Sequence, residues 1–415
     1  MLRLVSLCGI VVMLAICFAF SKNRRAISWR LVGVGLVLQA ILGFTFLYWD
    51  AGNAALRSCG NGVESFLQLS KRGSGFVFNA LADPQVVAAG LPDKSHGFIF
   101  AFMVLPTLIF FSSFMAVLYH LGVMQQVVRG MAWVMVRVLG TSGSESLSAC
   151  ANVFVGQTEA PLLVRPFLSK MTMSELHAIM VGGFATIAGG VFALYVGFGV
   201  AAGHLMVASV MAVPAGLVCS KMMWPETEHS ETLGRVDKVE SGGYGNVIEA
   251  AAGGAGDGLK LALNVGAMLI AFLGLVAVLN AALGLVATGL SVQSILGVVF
   301  WPIAAVMGVP TGEISSLSQL LGTKIVATEL IAYSDLGEMI KAGTVSPRTQ
   351  MIASFALCGF ANLGSVAIQI GGLGAMAPER RPDLAKLGLR AMFAGALATC
   401  MTACVAGVLA SEVVR

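Results

Sequence analysis

The chain has 415 residues, 57% of them hydrophobic and 11% charged, and its mean hydropathy is +0.87. Soluble domains carry roughly 25% charged residues, so this composition excludes a water-soluble globular protein and points to an all-α integral membrane protein. The net charge of +4 is too small for a nucleic-acid binder, and the eight cysteines and five histidines form neither CxxC nor HExxH, which leaves a metalloenzyme unsupported.

The first apolar run, Leu4 to Phe20, is followed by its basic cluster (Lys22, Arg24, Arg25, Arg30) and lacks a small-residue cleavage site. It reads as a span with the N-terminus outside, not as a signal peptide. A second span covers 31–49. Residues 51–96 mix Gly, Asp and Lys with short apolar runs and read as an interfacial or external segment. After a span at 97–122, residues 123–139 place apolar side chains at helical spacing around Arg129 and Arg137, the pattern of a helix lying on the inner surface. Spans at 174–198 and 203–221, a polar cytoplasmic loop at 222–257, and spans at 258–287, 349–372 and 386–411 complete the pattern. Eight spans put both termini outside, and Arg165, Lys170, Arg380, Arg381, Lys386 and Arg390 then fall inside, as basic residues should.

Two further apolar stretches, 141–170 and 291–340, have polar centres and read as re-entrant helical hairpins. Non-helical backbone survives at membrane depth only where it lines a cavity. Four segments have that character: Asn152–Pro161, Gly182–Gly190, Gly308–Glu313 and Cys358–Ser365. Their order is hairpin tip, broken helix, hairpin tip, broken helix, and GFATIAGG at 183–190 aligns by eye with GFANLGSV at 359–366. By the assigned orientation the two hairpins enter from opposite sides, as in the inverted repeats of transporters with a midplane site. The expected organisation is residues 1–140 as N-terminal, mainly scaffold, elements and 141–221 as the first transport unit. The loop 222–257, a scaffold span at 258–287 and a second transport unit at 288–415 follow. Glu159 and Glu329 are carboxylates at depth, where charge is costly and usually faces a cavity. Lys324 reads either as part of the site or as the partner of a buried carboxylate.

GQTEAP at 156–161, GTKIVATELIAY at 322–333 and CGFANLGS at 358–365 resemble the concentrative nucleoside transporter family in its short bacterial form. The resemblance covers nearly the whole chain. It departs at Thr328, where the family usually has Asn, at Leu330, where it usually has Phe, and at Thr186, where Ser is usual. The resemblance implies sodium-coupled nucleoside uptake through the bacterial inner membrane by a homotrimer, each protomer moving a transport domain elevator-fashion across a scaffold. It implies that Gln157, Thr158 and Glu159 contact the base and that Glu329, Asn362 and Ser365 hold the ribose. Phe360, Val191 and Leu261 would pack nearby. A sodium ion, the only cofactor implied, would sit on the side chains of Asn152 and Thr186 and the carbonyls of Val155 and Ile187.

The residue chemistry suits that assignment. A side-chain amide and a hydroxyl complement the donors and acceptors of a pyrimidine edge, and an ionised carboxylate is a strong acceptor for ribose hydroxyls. Other readings stay open at this level: a proton-coupled carrier of the same architecture, or a carrier of another small polar solute. The tips carry Glu159 and Glu313 and no arginine, which disfavours anionic substrates.

Overall fold

The computed structural model describes residues 1–90, 99–234, 244–287 and 289–410; the middle of the expected 222–257 loop and the C-terminal tip lie outside these. The described residues are built from α-helices joined by 3-10 segments and by one π-helical turn, Phe44–Tyr48. α1 (Leu2–Ala19) and α2 (Trp29–Gly43) lead into α3 (Asp50–Phe78), a helix of 29 residues where the sequence suggested a mixed segment. Its apolar residues are diluted by Gly, Ser and Asn, so it lacks the continuous hydrophobic run by which a span is recognised. The short helices α4 (Pro84–Ala89) and α5 (Phe100–Met103) precede α6 (Leu105–His120). α7 (Val123–Leu139) occupies the place of the expected surface helix; left-handed glycines at both ends, Gly122 (φ +78°) and Gly140 (φ +72°), set its limits.

The first polar-centred stretch divides into α8 (Gly143–Ala151) and a 3-10 segment, Ala160–Lys170, that contains Pro161 and Pro166. The 174–198 span is broken. α9 (Met173–Ala185) stops, Thr186 to Ala188 run extended, and α10 (Gly189–Gly197) resumes. After α11 (Ala202–Met223) the chain returns in α12 (Val247–Val286), which at 40 residues is about 60 Å long. The last third holds α13 (Val292–Val306), α14 (Ile314–Val326), α15 (Glu329–Lys341), α16 (Pro347–Leu357), α17 (Leu363–Met376) and α18 (Arg381–Leu409). Among the described residues five helices are long and apolar enough to cross a membrane: Leu2–Ala19, Trp29–Tyr48, Phe100–His120, Ala202–Met223 and Pro378–Leu409. They match five of the eight expected spans. Two others, 174–198 and 349–372, are split helices, and the eighth falls within α12.

The stretch 291–340 is three helices, not two arms. Its first interruption, Gly308–Glu313, is a structural clasp: Arg348 at the start of α16 donates to Gly308 O (2.7 Å), to Gly407 O (2.7 Å) and to Ser6 Oγ (3.2 Å). Glu313 accepts from the Ser346 backbone N–H and hydroxyl at 3.1 and 2.9 Å, beside the α16 N-cap. The candidate site carboxylate Glu329 instead opens α15, after a second interruption at Ala327–Thr328. Sequence favoured the first interruption because it carries Gly and Pro, whereas the second is made by an N-cap: the Thr328 hydroxyl accepts from Ile331 N–H.

The buried core runs through α9, α11, α16 and α18. One end of it holds a polar cluster that the sequence did not reveal. Capping boxes start α8 (Ser142 with Glu145) and α9 (Thr172 with Glu175). Lys221, in the last turn of α11, lies 2.7 Å from Glu145, both groups being almost fully buried. Residues 226–233 fold back over both helix starts, with Ser230 Oγ donating to Glu175 (2.6 Å) and Gly143 N–H to Thr232 O (2.9 Å).

Candidate functional site

The site lies where the two split helices touch. α16 ends at Leu357, and Cys358 to Asn362 cross the break of α9–α10 closely enough that Phe360 N–H donates to Thr186 O (3.3 Å). Gly359 makes the crossing possible. It has φ +154°, and a Cβ there would sit 2.5 Å from Phe184 O and 2.9 Å from Ala185 C, both backbone atoms that cannot yield. The by-eye register of the repeat is displaced by a few residues. Gly183 is still helical in α9, whereas its partner in that register, Gly359, lies inside the second break.

Asn362 does two jobs. Its Oδ1 caps α17 by accepting from Ser365 N–H (2.8 Å), which leaves its Nδ2 to donate to Glu329 Oε2 (2.9 Å). The other carboxylate oxygen accepts from the Tyr195 hydroxyl (3.1 Å), and Tyr195 stacks on Tyr333 at 4.2 Å between centroids. Glu329 is 5% exposed, so its two donors stabilise a charge largely withdrawn from water. Tyr195 was missed by the sequence reading, although it follows Val191 by four residues and so shares its helix face. Thr328, which stands where the family usually has Asn, caps α15 through its hydroxyl.

From the first tip, Gln157 Nε2 donates to Ser365 Oγ (3.2 Å), joining the candidate base-contacting and ribose-contacting residues directly. Gln369, also missed, donates through Nε2 to Gln157 Oε1 (3.0 Å) and to Met180 O (3.1 Å). Thr158 packs toward Gly372 and donates to Glu159 Oε1 (3.0 Å). Glu159 itself is exposed at the tip, apart from the Glu329 cluster. Val191 is buried and Phe360 half-buried, both within the core around the breaks; Leu261 is half-buried on α12. Lys324 is fully buried and, among the described residues, makes hydrogen bonds in place of an ion pair, donating to Ala356 O (2.8 Å) near the C-terminal end of α16 and to Thr399 Oγ1 (2.9 Å). It thereby satisfies a carbonyl near the helix end, where the ladder stops.

The candidate sodium ligands fit a small hard cation. Asn152 is 1% exposed, its Nδ2 is engaged with Ser148 O (2.9 Å), and its Oδ1 is buried with no hydrogen-bond partner among the described residues. Val155 and Ile187 lie in non-helical backbone, and Thr186 Oγ1 donates to Gly182 O (2.8 Å), leaving its lone pairs available. Oxygen atoms of this kind suit an alkali cation.

Broken helices converging on buried amides and a carboxylate define a membrane transporter, not an enzyme. Models of the Na+ dependent nucleoside transporter N-terminus, of nucleoside recognition and of the Na+ dependent nucleoside transporter C-terminus match residues 8–81, 101–202 and 204–407. An uncharacterized transporter of Haemophilus influenzae is 46% identical over 97% of this chain and 96% of its own length. Solute carrier family 28 member 3 of Homo sapiens and sodium/nucleoside cotransporter 1 of Mus musculus are each 42% identical; the chain covers 60% and 64% of their lengths. The solved structure of CNTnw in an inward-facing substrate-bound state superposes with a TM-score of 0.93 at 44% identity, covering 99% of both chains. An outward-facing CNTnw variant gives 0.94 at 42% identity, over 99% of this chain and 98% of its own. The chain belongs to the Na+-dependent, or concentrative, nucleoside transporter family.

Proposed function

We propose that the protein is a sodium-coupled symporter that imports nucleosides, pyrimidine nucleosides such as uridine among them. The observation that carries this reading is the juxtaposition of two unlike polar groups beside the paired breaks. Glu329, held by Asn362 and Tyr195, offers carboxylate oxygens to vicinal ribose hydroxyls, while Gln157 and Thr158 face the base. Val191, Phe360 and Leu261 supply the apolar walls, and Glu159 lies at the outer edge of the base subsite. Asn152, Thr186 and the carbonyls of Val155 and Ile187 bind the sodium ion beside the tip that carries Gln157.

Coupling follows if sodium and nucleoside both favour the same closed arrangement of tip and break. Linkage then requires each to raise the affinity of the other by the same factor. The reading extends to two re-entrant hairpins, 141–170 and the pair α14–α15, moving with the broken helices as one transport unit in an elevator-type step. It also extends to a homotrimer in the inner membrane of a bacterium. The orphaned Asn152 oxygen favours sodium over a proton, since a carboxamide does not titrate.

The test is equilibrium binding of radiolabelled uridine to the purified protein, in sodium chloride and in choline chloride. Binding is expected to require sodium, and Asn152→Ala is expected to shift the sodium dependence upward about tenfold or more, one lost ligand of an oxygen cage being worth more than about 1.4 kcal/mol. Uridine binding that ignores sodium and follows pH would overturn the assignment of the coupling ion.

A further inference from the structure

We propose that Gln369 is a positioning residue that fixes which end of the Gln157 amide meets the nucleobase, and so selects bases that present a carbonyl oxygen there. The inference rests on the assignment of Gln157 to the base subsite. It starts from a proton inventory. Met180 O is a backbone carbonyl and can only accept, so the Gln369 atom 3.1 Å away must be the amide nitrogen. That same nitrogen lies 3.0 Å from Gln157, whose facing atom must therefore be the oxygen. Gln157 is left with its NH2 group turned toward Ser365 and the site.

Ser365 cannot impose this polarity, because its hydroxyl rotates and can either donate or accept. Gln369 can: it is 1% exposed, and α17, which carries it, packs where it touches α9 at Met180. Reversing Gln369 would set its oxygen against the Met180 carbonyl. The orientation thus passes in one direction, from the α9 backbone through Gln369 to Gln157. One N–H of Gln157 engages Ser365, and the second is the group available to a ligand. A 4-oxo pyrimidine such as uracil offers that N–H an acceptor. The 4-amino group of cytosine sets donor against donor at the same place.

Gly183 supplies an independent handle. A Cβ at this position would stand 2.6 Å from Gln369 Nε2 and 2.9 Å from Gln157 Cβ, so the absence of a side chain is what lets the amide pair close.

The experiment compares equilibrium binding of uridine and cytidine, at saturating sodium, to the wild type, Gln369→Leu, Gly183→Ala and Gln157→Ala, with sodium dependence and unfolding temperature measured alongside. The wild type is expected to bind uridine about tenfold or more tightly than cytidine, the cost of leaving a buried donor unpaired. Gln369→Leu releases Gln157 to turn over, so the uridine-to-cytidine ratio falls to within about threefold while sodium dependence is unchanged. Gly183→Ala shifts the ratio the same way and answers the question if Gln369→Leu does not fold. A ratio that is unchanged in both variants yet altered by Gln157→Ala overturns the role of Gln369 and leaves the base subsite standing. Nucleoside binding indifferent to Gln157→Ala overturns both. Equal wild-type affinity for uridine and cytidine overturns the selection.

Discussion

Substituting Glu329 by Gln separates the charge of this group from its shape. The carboxylate accepts from Asn362 Nδ2 at 2.9 Å and from the Tyr195 hydroxyl at 3.1 Å. Asn362 must remain the donor, because its oxygen is committed to capping α17 at Ser365, so the new amide keeps its oxygen on that side. Its nitrogen then faces Tyr195, whose hydroxyl turns round and accepts. Both local hydrogen bonds survive, and the unfolding temperature of Glu329→Gln is expected within a few degrees of the wild type. What is lost is the charge. Hydrogen bonds to charged groups contribute about 1.5–3 kcal/mol against about 0.5–1.5 for neutral ones. Two ribose hydroxyls therefore lose roughly 2–3 kcal/mol, a weakening of about 30- to 150-fold. The assay is equilibrium binding of labelled uridine and 2′,3′-dideoxyuridine to purified protein in sodium chloride. Uridine should weaken by that factor and dideoxyuridine should not change. Equal losses for both ligands, or a fall of many degrees in unfolding temperature, would refute the assignment of Glu329 to the ribose.

Tyr195→Phe removes one of the two donors to Glu329, so uridine affinity should fall about five- to tenfold with sodium dependence retained, read in the same binding assay. Gly359→Ala forces a Cβ to 2.5 Å from Phe184 O; it should destabilise by several kcal/mol, about 1–2 of them from the positive φ alone, and weaken uridine and sodium together. Lys221→Met leaves Glu145 buried without its partner at 2.7 Å. A loss of about 3–5 kcal/mol is expected in thermal unfolding, with most of it recovered when Glu145→Gln is added.

Much of the fold was legible because hydrocarbon imposes simple rules. Unbroken apolar runs gave α1, α2, α6, α11 and α18, and runs interrupted by Gly or Asn gave the split helices. The candidate site was picked out for the same reason, since polar residues inside apolar runs have few roles other than lining a cavity. Four things escaped. α3 has no continuous apolar run. The break at Ala327–Thr328 carries no Gly or Pro, so Gly308–Glu313 drew attention although Arg348 makes it a clasp. Tyr195 and Gln369 were hidden because their partners, Glu329 and Gln157, lie 134 and 212 residues away, a distance that no local pattern spans. The cluster of Lys221 with Glu145 was equally long-range; its one local trace was the capping box at Ser142.

The hydrogen bond from Phe360 to Thr186 has a mechanical consequence. Two interrupted helices, each free to bend at its gap, would make a soft centre. Pinned to one another across those gaps, with Gly359 allowing backbone to rest on backbone, they brace like crossed struts. Neither gap can be rewound or hinged without dragging its counterpart. A ligand held there would meet a stiff cradle, and the compliance that a carrier needs would come from the joints that tie this cradle to the rest of the chain.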